Sequence, residues 1–92
     1  MIATKYTRLT AVGNIKDTPG MLHWLIVSNP DSDDRYVILN DATSGTGDEV
    51  AKFLVKSHKT EVFTFNPPIP MVTGIRIGTF NDADMVVTGG YS

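Results

Sequence analysis

Asp31, Asp33 and Asp34 are the first side chains in this chain whose types and spacing could do chemistry. They sit in the connection Asn29-Pro30-Asp31-Ser32-Asp33-Asp34, and alternating carboxylates are how a calcium loop begins. The EF-hand spacing then fails. The loop lacks its central glycine, and Ala42 stands at the twelfth position, where a bidentate Glu belongs. A solvated acidic turn is the better account. His23 and His58 are the only histidines; they lie far apart, with no cysteine and no HExxH spacing, so no metal site is expected. His23, next to Trp24, is expected at the sandwich surface or packed against its neighbours.

Thr43-Ser44-Gly45-Thr46-Gly47 resembles neither a P-loop, having no following Lys, nor a G-x-S-x-G nucleophile turn. It reads as a flexible loop. The ten carboxylates offer no pair whose burial the sequence implies. Trp24, Tyr6, Tyr36 and Tyr91 could form a sugar-stacking platform; the plainer reading puts Trp24 in the core and the tyrosines at a rim or interface. The expectation is a protein that is not an enzyme, with no catalytic, cofactor-binding or metal residues and no cofactor.

Composition sets the outer bounds. Ninety-two residues make one domain with room for one core. There are no cysteines, so no disulfide or thiolate zinc site can add stability. Eight basic residues against ten acidic ones, without a basic run, argue against nucleic acid. No apolar run approaches a membrane span, and no apolar segment follows the first eight residues as in a signal peptide, so no membrane partner is expected. Thr, Val and Ile supply 27 residues, a strong β bias.

The elements that must position these side chains centre on residues 20–41. Two short apolar runs, 21–27 and 36–39, flank the acidic connection and read as strands. In strict alternation Leu22, Trp24 and Ile26 share one face, and Trp24 is expected in the core with them. Residues 5–12 read as a first strand and 13–20 as a loop carrying Ile15. Residues 49–56 are ambiguous. Thr46-x-x-Glu49 has the form of a capping box, yet Ala51, Phe53 and Val55 alternate with Lys52 and Lys56; strand spacing on both sides favours a strand. Residues 60–66 form a strand, and Pro67, Pro68 and Pro70 make the next stretch a crossover or edge. Strands at 71–78 and 85–88 complete an all-β antiparallel β-sandwich, jelly-roll-like, of six to eight short strands. Edge strands in so small a sandwich favour a homo-oligomer. Met1, Ile2, Ala3 and Thr4 precede the first strand. Their apolar start makes them the expected partner-binding residues, a docking arm outside the core.

The ordered pattern also resembles a known group, the small jelly-roll-like head decoration and head-fibre proteins of tailed bacteriophages. It starts with Gly20-Met21-Leu22-His23, runs through Tyr36-Val37-Ile38-Leu39-Asn40-Asp41, and reaches the Ser44-Gly45-Thr46-Gly47 loop. Phe63-Thr64-Phe65, Pro68-Ile69-Pro70, Thr73-Gly74-Ile75-Arg76-Ile77 and Asp84-Met85-Val86-Val87 follow. Thr73-Gly74 replaces the Asn-Gly often seen in similar proteins. The resemblance implies a non-enzymatic structural protein located in the virion and assembled in the host cytoplasm. In that role it would be a capsid decoration (cement) protein that binds the major capsid protein or another virion protein and stabilises the head. The same role would favour a trimer at threefold positions of the capsid. The alternative is a receptor- or glycan-binding module of a tail or fibre.

Overall fold

The structure, a computed structural model, describes residues 5–92; the arm residues Met1, Ile2, Ala3 and Thr4 lie outside it. Eight strands follow in order: β1 (Lys5–Leu9), β2 (Gly13–Lys16), β3 (Gly20–Asn29), β4 (Arg35–Asn40), β5 (Glu49–Val55), β6 (Lys59–Met71), β7 (Ile75–Phe80) and β8 (Val86–Tyr91). They form two antiparallel four-stranded sheets, β1-β8-β3-β6 and β2-β7-β4-β5. The pairings nest: β1 with β8, β2 with β7, β3 with β6, β4 with β5. A ribbon paired in that way and rolled over itself is a jelly roll, so the expected fold class is the observed one.

Alternation explains most of the core. Leu25 and Val27 from β3 and Val37 and Leu39 from β4 are fully buried, as are Val55, Ile75, Ile77 and Val87. Residues 49–55 are a strand, and Phe53 and Val55 point inward as the alternation requires. Phe53 packs against Phe63 and Phe65 of β6, with ring centroids 4.8 and 5.9 Å away, and closes the side where the two outer strands meet.

Three expectations need correction. The first strand stops at Leu9, because the chain turns at 10–12 and enters the other sheet as β2. Ile15, expected in a loop, is therefore a core residue, 2 % exposed. The last strand runs on through Gly89 and Gly90, and the strand expected at 71–78 begins only at Ile75. The third correction concerns Trp24. Leu22 pairs with Tyr91 and Trp24 with Gly90, two steps on β3 against one on β8, so His23 is an extra residue in a β-bulge. An extra residue flips the alternation beyond it. Leu22 stays in the core, Leu25 and Val27 follow it inward, and Trp24 and Ile26 turn to the outer face.

Trp24 is half-buried there because its indole lies over Gly90. A Cβ on Gly90 would fall 2.1 Å from the indole Cε2 and 2.3 Å from Nε1. Gly89 does the same for the inside, where a Cβ would fall 2.6 Å from Ile15 Cδ1.

Two variants separate the true core from the Trp24 face. Leu25→Ala should cost ~2–5 kcal/mol by chemical unfolding, and Trp24→Ala less than Leu25→Ala. Gly90→Ala must lift the indole off the sheet, so emission from this single tryptophan should shift to the red. An unshifted spectrum would mean that the indole does not rest on Gly90.

Candidate functional site

The jelly-roll connections gather at two ends. Connections 10–12, 30–34, 56–58 and 81–85 share one end; 17–19, 41–48 and 72–74 share the other. The acidic turn lies at the first end and is organised by Arg35. Its guanidinium reaches Asp31 at 2.7 Å, and Asp33 and Asp82 at 3.5 Å each, tying two connections together. The Arg35 hydrogen bond holds the Asp31 carboxyl below the ordinary carboxylate range. Among the described residues no group of three or more His, Cys, Asp or Glu side chains is placed to hold a metal ion.

Asn29 builds this end from below. It is 1 % exposed, and its amide donates to the carbonyls of Asp33, Val55 and Lys56 at 2.9, 2.9 and 3.2 Å. Its oxygen accepts from the Asp31 N–H at 3.0 Å. His58 stands in the β5–β6 turn with φ 56, and its N–H donates to the Asp31 carbonyl. The other histidine, His23, is 7 % exposed, and its Nε2 lies 2.9 Å from the Ser92 hydroxyl. The two are not brought together.

The second end holds the Thr43-Ser44-Gly45-Thr46-Gly47 loop, and this loop is clamped. Asn40, 1 % exposed, donates to the carbonyls of Thr46 and Gly47 at 3.0 and 3.1 Å and accepts from the Gly78 N–H. Asn14 donates to the Thr43 carbonyl at 3.0 Å, and Arg76 Nε to the Gly45 carbonyl at 3.0 Å. Arg76 also donates to the Asn14 Oδ1, which joins the two clamps. Asp41 accepts the N–H groups of Val72, Thr73 and Gly74 at 3.0, 2.8 and 3.3 Å, fastening the β6–β7 turn to the same loop. Residues 43–48 stay exposed above these clamps. An open cleft of about 400 Å³ lies beside them, lined in part by Lys5, Asn14, Lys16 and Tyr91. Lys5, where the described chain begins, is on its rim.

The four aromatics singled out in the sequence do not form one platform. Tyr36 lies on the second sheet with Lys52 Nζ 4.2 Å from its ring centroid. Tyr91 packs against the core, with Lys16 Nζ 5.8 Å from its ring. Tyr6 and Trp24 alone share the outer face of the first sheet, both opposite Gly90.

Asp41 provides a test of the second end. The three backbone N–H groups, that of Val72 foremost, depress its carboxyl below the ordinary 3.8. A depressed folded value means that the contribution is present above pH 3.8 and lost as pH falls from there through the folded value. Asp41→Ala should cost ~0.5–2 kcal/mol near neutral pH, as loss of a cap does. Melting temperatures of wild type and variant should converge at low pH; a constant gap would show that the carboxylate charge is irrelevant.

No family model, curated protein or solved structure matches this chain, so its fold and site stand on their own geometry.

Proposed function

We propose that this chain is a non-enzymatic capsid decoration protein of a tailed-phage head, docking end-on through the 41–48 loop and the arm that precedes Lys5. The observation that supports it is the clamping of that loop. Four hydrogen bonds from Asn14, Asn40 and Arg76 fix the backbone carbonyls of a Gly/Ser/Thr segment that stays exposed. A polar loop that is already ordered loses little further entropy on binding, which is what a small docking surface needs. The arm carrying Met1, Ile2, Ala3 and Thr4 joins β1 at the rim of the same end.

The jelly-roll topology adds an argument by analogy, since viral capsid domains use it repeatedly. In this reading each copy bridges neighbouring capsid subunits, and a homotrimer fits a threefold position. The contact adds interface free energy at every site on the shell.

Electron cryo-microscopy of heads lacking their own decoration protein, incubated with this chain, tests the reading. The expected density sits at junctions between capsid subunits with the 41–48 loop facing the shell. Ser44→Trp, at the exposed tip, should reduce occupancy while moving the melting temperature by less than about 3 °C. Deleting residues 2–4 should also reduce it. Full occupancy by both variants would overturn docking through this end, and heads that never bind the wild type would overturn the capsid reading.

A further inference from the structure

We propose that the outer face of the first sheet is a carbohydrate-binding platform, on which Trp24 and Tyr6 stack against the pyranose rings of an uncharged glycan. End-on docking leaves this face free, but the inference does not depend on how the protein is anchored.

Geometry carries the first half of the argument. Tyr6, Gly90 and Trp24 lie in one row across β1, β8 and β3. Because Gly90 lacks a side chain, the indole lies over β8 toward Tyr6, its Cε2, Nε1 and Cζ2 all within 2.5 Å of where a Cβ would be. Tyr6 is 70 % exposed on the far side of the same glycine. The bulge at His23 is what aims the indole outward; without the extra residue Trp24 would face the core. The indole over Gly90 and the exposed Tyr6 beside it in the same row offer two aromatic side chains on one sheet face. A pyranose ring presents a flat C–H face to such a surface while its hydroxyls point sideways.

Charge and hydrogen-bonding chemistry carry the second half. Strand pairing places Tyr6, Arg8, Val86, Thr88, Gly90, Trp24, Ile26, Ser28, Thr60, Val62 and Thr64 on the outer side of this sheet. Of the chain's eighteen charged residues, Arg8 alone is in that set. The polar members are hydroxyls, which both donate and accept, and Thr88 stands directly opposite Arg8. A face with one charge and four hydroxyls, of which Thr60 donates to Ser28 at 3.1 Å, complements a neutral polyhydroxy ligand. Tyr36 and Tyr91, each with a lysine beside its ring, provide no second platform.

Trp24 is the only tryptophan, so its emission reports directly on the site. The full chain should be screened on an array of neutral and acidic glycans. Hits are then titrated as free hexasaccharides, with β-glucan and chitin hexamers as fixed probes. Saturable change in emission with at least one neutral glycan is expected. Tyr6→Ala should weaken binding about tenfold without lowering the melting temperature, and Tyr36→Ala should leave it unchanged. Absence of any neutral hit, or equal binding by Tyr6→Ala, would overturn the proposal. Loss of head occupancy in Tyr6→Ala, with no glycan bound by wild type, would instead make this face the capsid contact. The platform reading and end-on docking would then both fail, while the decoration role itself survived.

Discussion

Nested pairing is the constraint on which everything else here rests. Only β4 and β5 meet as a local hairpin; β1 must find β8, and Lys5 ends opposite Tyr91. Each outer pair closes a longer loop than the pair inside it, so closure entropy rises in order from β4–β5 out to β1–β8. The core reflects this order. Ile15 of β2 fills the space over Gly89 of β8, joining the two sheets between elements from opposite ends of the sequence. The pairing also sorts the connections into two ends, which lets the same small domain build two different loop clusters.

The bulge at His23 is the second decision. β3 is a central strand, paired with β8 on one side and β6 on the other, and both pairings shift between Leu22 and Trp24. The shift costs ladder hydrogen bonds in the middle of a sheet, and Gly90 offsets part of the disruption by letting the indole cover the exposed backbone. On the β6 side the shift is larger, spanning Thr64 to Ile69 and taking in the proline segment. Prolines at these positions are tolerated because β6 is the edge of its sheet. They also blunt that edge against unwanted pairing.

The sequence made the fold class readable because its period-two pattern is strong where the strands are long. At 49–55 it outweighed a capping-box signal, and the observed strand buries Phe53 and Val55 as the alternation requires. It failed where the pattern was short or broken. Gly13-Asn14-Ile15-Lys16 looks like a loop, and only its pairing with β7 makes it a strand. Strict alternation put Trp24 in the core because a bulge leaves no local mark; His23 is an unremarkable strand residue until its partners are known. Gly89 and Gly90 read as a chain ending its last strand, whereas both are needed inside it. The clamps were hidden for a related reason. An Asn at a strand end is common, and that Asn29 and Asn40 are each buried and hydrogen-bonded to three or more partners is a tertiary fact.

Those two asparagines suggest how the ends came to differ. Asn29 closes β3 and Asn40 closes β4, at opposite ends of the sandwich, and each fixes a loop through backbone carbonyls rather than side chains. Holding a loop by its backbone frees its side chains for other uses. At the Asn29 end those side chains are acidic and turn back on Arg35, so the charges are largely spent within the molecule. At the Asn40 end Asp41 is bonded to the β6–β7 turn, while residues 43–47 are small hydroxyls and glycines that stay exposed. Equal scaffolding thus supports one end that is closed on itself and one that is left open. The proposed docking reading places the contact with another molecule at this open end.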